Sequence, residues 1–155
     1  MSESWTSPAE VAEALESVGY LADARIAQVT FLASALDKPI LAECGGLLYC
    51  LETLTDLEGA QYPMAGLLAG HGAMRGKRGC QGMQTAPLPE GEVRAHAHHR
   101  SRSEQTPEPI AFGRRQRHPA PGEAIYRVGN LTATYLHLFF PSNPDAIAQL
   151  FKPVA

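Results

Sequence analysis

The amino-acid sequence predicts an α/β fold, in which strands and helices alternate along one domain covering residues 1–155. Residues 38–44 contain a short apolar run between a proline and a glycine pair, which indicates a buried strand that turns directly into a helix. Apolar residues between positions 22 and 36 recur at helical spacing. Residues 124–138 form two β-patterned segments joined by a Gly-Asn turn, which is typical of a hairpin.

Local signals define three of the predicted helices. Residues 7–10 provide a capping serine, a proline at the first helical position and a glutamate at the third, so a helix is expected to run to about Ser17. A helix after the turn at residue 44 should have Cys50 in the core and bury four leucines: Leu47, Leu48, Leu51 and Leu54. A last helix is capped by residues 142–145 and should pack three apolar side chains inward: Ile147, Leu150 and Phe151.

The remaining segments predict strands and one long loop. Residues 93–98 alternate weakly and are interpreted as a strand, whereas residues 104–122 are rich in Pro, Arg and Gln and predict a mobile surface loop. With a period of two, the last hairpin segment places His137 on one face with three apolar residues: Ala133, Tyr135 and Phe139. We therefore expect His137 to project from an otherwise apolar side.

Composition and charge exclude several classes of partner. The formal net charge is −3 and the basic residues are scattered, so the sequence predicts neither nucleic-acid binding nor attachment to an anionic membrane. No segment has the roughly 20 apolar residues that span a bilayer, and the N-terminus is unlike a signal peptide, so a cytoplasmic location is expected. The sequence has neither a GxxxxGK[ST] phosphate loop nor a GxGxxG match, so nucleotide binding by this chain is not predicted.

The spacing of the cysteines leaves at least one thiol free for chemistry. Cys44, Cys50 and Cys80 are too irregularly spaced for a disulfide framework or a CxxC metal pair. Cys44 falls at the predicted strand-to-helix corner, where the unpaired N–H groups of a helix N-terminus favour the thiolate, as in a nucleophile elbow. A histidine at a strand end can supply the base, and His137 is the candidate; the alternative is an ordinary hydrogen-bonded strand histidine.

A histidine cluster suggests a second kind of site. In a strand, His96 and His98 share a face, His99 follows them, and His71 or Cys80 could add ligands. However, no further ligand lies at a recognised metal spacing, so we expect no metal. The alternative interpretation is a partly exposed strand that carries histidines.

Three blocks of the sequence resemble one family. Residues 42–49 (Ala-Glu-Cys-Gly-Gly-Leu-Leu-Tyr) and 134–144 (Thr-Tyr-Leu-His-Leu-Phe-Phe-Pro-Ser-Asn-Pro) resemble the glutamine amidotransferase domain of cobyrinic acid a,c-diamide synthases. Residues 94–101 are similar to that family's Gly-His-x-Phe-His-Tyr-Ser segment. The blocks occur in the family's order, and the resemblance covers roughly residues 19–151.

The resemblance implies a class I, triad-type glutaminase of flavodoxin-like fold, with a mixed sheet flanked by helices. It implies that Cys44 attacks the side-chain amide of glutamine and that His137 is the general base and acid. The backbone N–H of Gly45 would hold the developing oxyanion. The resemblance also puts His96 and His99 near the substrate-facing edge.

The resemblance also implies partners. In the family, ammonia passes to an ATP- and Mg²⁺-dependent synthetase domain that amidates the a and c carboxylates of a corrin precursor in cobalamin biosynthesis. Glutamine is then the substrate, the synthetase domain is a partner that gives access to the corrinoid, and this chain itself needs no cofactor. A solvated loop is the first interpretation of Arg114, Arg115 and Arg117, and a carboxylate or corrinoid contact is the second.

Departures from the family pattern keep alternatives open. The family has further elements before the equivalent of residue 19, so we expect an N-terminally truncated domain whose open sheet edge pairs with a partner or a second copy. Many class I domains carry Glu two residues after the catalytic histidine, where this sequence has Phe139, and Glu43 should point away from Cys44. The chain could therefore be an inactive remnant that acts as a binding protein, or an amidotransferase for cobyric acid or a cell-wall precursor.

Overall fold

The computed structural model of the protein describes residues 6–17, 28 and 38–152. Within these residues, helix and strand alternate as far as Cys50; ten consecutive strands follow, and then one short 3-10 helix at Phe140–Ser142 and a last α-helix. The helices are α1 (Pro8–Ser17), α2 (Gly45–Cys50) and α3 (Pro144–Leu150). The strands are β1 (Ile40–Glu43), β2 (Thr53–Thr55), β3 (Gln61–Pro63), β4 (His71–Met74), β5 (Gln81–Leu88), β6 (Gly91–His98), β7 (Ser101–Glu104), β8 (Ala111–Arg115), β9 (Pro121–Val128), β10 (Leu131–Thr134) and β11 (Leu136–Leu138).

The strands form two mixed sheets. The larger has seven strands in the order β1-β10-β9-β8-β5-β6-β11, in which β1 runs parallel to β10 and the other pairs are antiparallel. The smaller has four strands in the order β3-β2-β4-β7. Helix α2 packs on β1 and β10, and α3 packs on β6. This arrangement confirms the predicted α/β class with a mixed sheet and flanking helices.

The two end strands of the large sheet meet. In the strand order, β1 and β11 stand at opposite ends, yet the backbone N–H of Leu138 in β11 donates to Oε1 of Glu43 in β1 at 2.8 Å. The sheet therefore curves back on itself, and the carboxyl ends of β1 and β11 share one rim. The expectation that Glu43 is structural agrees with this contact.

Two clusters of buried side chains form the core. One packs α3 against the strands of the large sheet and includes Val93, Ile125, Leu136, Ile147 and Leu150. The other surrounds α2 and includes Leu47, Cys50, Leu51, Tyr126 and Tyr135. The burial of Cys50, which is 4% exposed, confirms its predicted core position. Among the described residues, no helix is both long and apolar enough to cross a membrane.

The predicted starts of α1 and α3 are confirmed by their caps. Ser7 Oγ accepts from Glu10 N at 3.2 Å, and the Glu10 carboxylate accepts from Thr6 N at 2.7 Å. Asn143 Oδ1 accepts from Ala146 N at 3.1 Å at the start of α3. These side chains satisfy N–H groups that have no partner inside a helix. Of the helix predicted within residues 22–36, the structure describes only residue 28, which is helical.

The prediction of a mobile loop over residues 104–122 was wrong. This stretch contains β8 and the first residues of β9. Strand β8 pairs with β9 on one side and with β5 on the other. Two glycines make the pairing possible, because a Cβ at Gly113 or Gly122 would clash with Oε1 of the buried Gln84. Backbone hydrogen bonds and close packing thus build a strand without the apolar side chains that sequence patterns require.

The hairpin at Gly129-Asn130 is confirmed, but its second strand is broken at Tyr135. Thr134 Oγ1 donates to Ala124 O at 2.8 Å and accepts from Leu136 N at 3.2 Å, so a side chain replaces the regular ladder at this point. β10 therefore pairs with β9, while β11 crosses to β6. The predicted shared face was wrong, since Tyr135 is buried and His137 is exposed.

Two details of the helices also differ from prediction. Helix α2 ends at Cys50, because Leu51 adopts an extended backbone with ψ of 174°, and Leu54 lies in β2. Leu47 and Leu51 are nevertheless fully buried. The predicted inward packing of Phe151 was wrong: its side chain is 42% exposed.

We expect Gly122→Ala to lower the free energy of unfolding by about 1–3 kcal/mol, because the added methyl group meets both the Gln84 amide and the backbone oxygen of Gly113. Denaturant unfolding measures this difference. Gly76→Ala is the matched control, since a Cβ there meets no atom within 4 Å. Equal stability of the two variants would show that β8 and β9 do not pack closely against Gln84.

Candidate active site

Cys44 occupies a strained corner between β1 and α2. Its backbone has φ of 50° and ψ of −105°, a conformation that costs a non-glycine residue about 1–3 kcal/mol. Two backbone hydrogen bonds hold the corner: Cys44 N donates to Thr134 O at 2.9 Å, and Leu48 N donates to Cys44 O at 3.3 Å. The strand-turn-helix arrangement predicted from the sequence is therefore present, with the cysteine at the turn.

The surroundings of the Cys44 thiol leave it accessible. The residue is half-buried, and Sγ makes a weak contact of 3.8 Å with the backbone oxygen of His98. A Cβ built on Gly45 would meet no atom within 4 Å, so there is free space beside the first residue of α2. Cys50 differs, because burial raises the pKa of its thiol to about 11. Burial also raises the pKa of Cys80, and Glu123 adds to this effect.

His137 lies on the same rim as Cys44. Cys44 follows Glu43, and His137 precedes Leu138, so the 2.8 Å hydrogen bond between Leu138 N and Glu43 Oε1 joins their immediate neighbours. Among the described residues, no hydrogen bond joins Cys44 to His137. Catalytic hydrogen bonds are often loose before substrate binds. The lack of a hydrogen bond between Cys44 and His137 is therefore compatible with a catalytic pair.

The other histidines divide between the rim and the interior. His96 is half-buried and is the cross-strand partner of His137 in the β6–β11 ladder. The rings of His96 and His98 stack with centroids 6.3 Å apart. His99 was expected beside His96 at the substrate-facing edge, but its side chain is only 7% exposed. Gly79 makes this burial possible, because a Cβ there would lie 2.7 Å from the His99 ring.

His99 is the centre of a buried polar cluster behind the rim. Its ring stacks on Tyr135 with centroids 3.9 Å apart, and Nδ1 donates to Ser101 O at 2.9 Å. Nε2 lies 3.1 Å from Oε1 of Glu123, which is ion-pair distance, although the ring N–H is not aimed well enough for a regular hydrogen bond. Because Nδ1 carries a proton for Ser101, a proton on Nε2 as well would make this contact an imidazolium–carboxylate pair.

Two groups in this cluster, Glu123 and Tyr135, have shifted pKa values. Burial opposes ionisation of Glu123, but the interaction with His99, together with Cys80 and Arg115, outweighs it and lowers the pKa of Glu123. Burial is the main cause that raises the pKa of Tyr135 to about 12, and the negative charges of Glu123 and Cys44 add to it. Tyr135 is thus a neutral phenol whose ring stacks on His99.

Sequence reasoning missed this cluster. Glu123 lies just beyond the segment that predicts a loop, and the β-strand period makes Tyr135 only an apolar neighbour of His137. The block of residues 94–101 gave the one available signal, because it singled out His99. The partners of His99 are Glu123, in β9, and Tyr135, at the β10–β11 break. Only the fold shows that these segments meet His99.

The described residues offer no ligand set for a metal ion. They contain no group of three or more His, Cys, Asp or Glu side chains arranged to hold one. His71, a possible extra ligand in the metal interpretation, lies in β4 of the smaller sheet, and its Nδ1 is 2.9 Å from Thr53 Oγ1.

Comparison with known families explains the elbow. Residues 20–145 match the model of the CobB/CobQ-like glutamine amidotransferase domain. The chain belongs to this family. The predicted enzyme class, glutamine amidotransferase, is therefore confirmed.

Relatives of this amidotransferase domain are longer proteins. Cobyrinate a,c-diamide synthase from Herminiimonas arsenicoxydans is 44% identical over 121 residues, which cover 78% of this chain and 28% of that protein. Hydrogenobyrinate a,c-diamide synthase from Stutzerimonas stutzeri is 44% identical over 119 residues, covering 77% of this chain and 28% of the relative. The corresponding enzyme from Pseudomonas aeruginosa is 41% identical over 119 residues. The chain thus spans little more than a quarter of the length of these relatives.

The lowered pKa of Glu123 predicts a pH dependence of stability. Since the carboxyl binds its proton less readily in the folded state, its contribution is present above the unfolded pKa and is lost as the pH falls through the folded pKa. We expect Glu123→Gln to lower stability at neutral pH and to flatten the loss of stability on acidification. Denaturant unfolding at a series of pH values measures both effects.

Glu58→Gln is the control for this experiment, because Glu58 is exposed and lies outside the cluster. It should keep the pH profile of the original chain. If Glu123→Gln kept the same profile as well, the ion pair with His99 would have no part in stability.

Proposed function

We propose that this chain is the glutaminase module of a cobyrinic acid a,c-diamide synthase. It hydrolyses glutamine and supplies ammonia for the ATP-dependent amidation of corrin carboxylates in cobalamin biosynthesis. The observation that carries the proposal is the strained Cys44 corner, tied through Glu43 to the strand that bears His137. The names of the relatives, cobyrinate and hydrogenobyrinate a,c-diamide synthases, supply the acceptor class.

The proposed reaction has two halves. His137 accepts the thiol proton of Cys44, and the thiolate attacks the amide carbon of the glutamine side chain. The carbon–nitrogen bond breaks, and the leaving nitrogen takes the proton from His137 and departs as ammonia. Water then loses a proton to His137 and attacks the thioester carbon, which releases glutamate and returns the thiol.

The oxyanion of both halves needs a backbone donor. Gly45 is the first residue of α2, where backbone N–H groups have no partner within the helix, and the space beside it is open. Its N–H is therefore assigned as one donor. The loop that resembles a source of the second donor, residues 18–22, lies outside the described part of the chain.

His137 requires an orienting group, and Phe139 cannot serve as one. Glu43 is already engaged by the backbone of Leu138. His96 faces His137 across the β6–β11 ladder, where opposite Cβ atoms are about 4.5–5.5 Å apart, so we assign the orienting role to His96. This role replaces the carboxylate that many class I domains use.

The amidation step belongs to a partner. This sequence has no phosphate-loop motif, and the described residues hold no acidic ligand cluster, so ATP and Mg²⁺ do not fit here. We propose that a synthetase domain or subunit binds them and receives the ammonia. The corrinoid would reach this chain only through that partner.

A second candidate function is binding without turnover. Phe139 in place of a carboxylate, and the lack of a hydrogen bond between Cys44 and His137 in the described residues, favour it. Such a protein would keep the amidotransferase fold and its partner but would not hydrolyse glutamine. Reactivity of Cys44 toward a glutamine analogue distinguishes the two functions.

We expect the glutamine analogue 6-diazo-5-oxonorleucine to label Cys44 covalently, because its ketone carbon occupies the position of the amide carbon. The adjacent diazo carbon takes the thiol proton, loses N₂ and forms a thioether with Sγ. Mass spectrometry of the intact protein and of its peptides measures the labelling. Cys44→Ala should abolish it. His137→Gln should slow it by about 100-fold or more, the usual contribution of a positioned base.

Cys80→Ala is the matched control, because it removes a half-buried thiol outside the rim. It should leave the labelling rate unchanged. A folded chain that is not labelled at all, or one labelled equally well after Cys44→Ala, would contradict the glutaminase proposal and favour binding without turnover.

A further inference from the structure

Basic side chains from two separate stretches of the sequence gather at one end of the smaller sheet. Strands β4 and β7 pair antiparallel, and the backbone hydrogen bond from Arg75 N to Arg100 O, 2.7 Å long, continues their register. Gly79 N donates to His99 O at 2.9 Å, which holds the residues before Gly79 beside Arg100. Five of the chain's 13 Lys and Arg residues meet here and define the basic patch: Arg75, Lys77, Arg78, Arg100 and Arg102.

Two arginines of the basic patch lie directly opposite each other. Residues opposite in an antiparallel pair share a face, so Arg75 and Arg100 point to the same side, where like charges repel. Strand alternation puts Arg102 on this side as well. Arg102 pairs with Glu104 at 3.0 Å, but among the described residues Arg75 and Arg100 have no carboxylate partner. The fold therefore maintains a repulsive contact that no internal charge offsets.

The basic patch faces away from the core. On the other face of β4, a Cβ at Gly72 would clash with leucine side chains of α2 and β2. Four of the five basic side chains are exposed, and Arg75 is half-buried. They border an open depression of about 470 Å³, whose lining includes three of the cations and none of the residues of the candidate active site. The patch is therefore an accessible surface of its own.

Protection of a sheet edge explains only part of the basic patch. Strand β7 ends the strand order of the smaller sheet, and charged side chains on such a strand prevent it from pairing with another chain. This role accounts for Arg100 and Arg102. It does not account for Arg75, Lys77 and Arg78, which lie outside β7 and carry the same charge.

The form of the basic patch favours carboxylates over phosphates. Phosphate sites generally use a helix N-terminus or a run of free backbone N–H groups. No helix begins in residues 75–78 or 100–102, and the N–H groups of Arg75 and Gly79 already donate within the fold. These stretches also lack the aromatic side chains on which nucleic-acid bases stack. The cations follow the ladder and the adjoining turn in a row, which matches a surface with several carboxylates.

We propose that the basic patch docks a protein partner that presents a cluster of Asp or Glu side chains. Carboxylates of the partner lie between Arg75 and Arg100 and remove their repulsion, while the other three cations extend the contact and guide the encounter. The docking surface goes beyond the glutaminase reaction, so the labelling of Cys44 and binding at the patch succeed or fail independently.

Fluorescence anisotropy of a labelled deca-glutamate peptide tests the proposal on the full chain at low ionic strength. We expect saturable binding that weakens as salt is added, because salt screens exposed charges. The double variant Arg75→Gln/Arg100→Gln should weaken binding by about tenfold, since each exposed charge pair contributes a few-fold. Arg94→Gln/Arg117→Gln removes two exposed arginines outside the patch and is the matched control, which should stay within about twofold.

The variant Arg100→Gln tests the repulsion without any ligand. It leaves Arg75 with no like charge opposite, so the midpoint of denaturant unfolding should rise, and added salt should reduce the difference. A midpoint below that of the original chain would show that Arg100 stabilises the fold, and it would overturn the proposal.

Three outcomes of the binding experiment would also overturn the proposal. The folded chain could fail to bind the peptide, or the control double variant could lose as much affinity as the patch variant. A ten-residue oligothymidylate, which has a similar charge, could bind as tightly as the peptide and would then indicate a nucleic-acid partner.

Discussion

The hydrogen bond from Leu138 N to Glu43 Oε1 is the constraint on which the candidate active site depends. It connects strands at opposite ends of the seven-stranded order, and it lies between the neighbours of Cys44 and His137. The β1–β10 ladder and the bond from Cys44 N to Thr134 O place the elbow beside the end of β10, and the Glu43 bond then ties β11, which follows after one residue, to the same rim. A carboxylate next to the nucleophile therefore acts through the backbone rather than on the thiol.

The remaining structure supports this rim from behind. Thr134 accepts the Cys44 N–H and also breaks the strand, which sends β11 across to β6 and exposes His137. Tyr135 follows at the break and stacks on His99, whose partner is Glu123. The strained Cys44 corner is thus hydrogen-bonded to Thr134, and the next residue, Tyr135, packs on His99 at the same break in the chain.

The sequence predicted the parts of the site that depend on local signals. The corner at Cys44, the Gly129-Asn130 turn and the capped helices follow from residue types at fixed spacing. The sequence did not predict the path of β11, the burial of His99 or the strand β8. These features depend on pairing between distant segments. Gly113 and Gly122 illustrate the reason: they make β8 and β9 possible through close packing on Gln84, which no hydrophobic pattern reveals.

The most direct test of this account is the rate at which 6-diazo-5-oxonorleucine labels Cys44 in two variants of Glu43. Glu43→Gln retains an oxygen that accepts from Leu138 N, so it should keep most of the rate. Glu43→Ala removes the acceptor and should slow labelling by about tenfold or more in a chain that still folds, because small displacements of paired groups are costly. Labelling of Glu43→Ala at the original rate would contradict the claim that this bond holds Cys44 and His137 together.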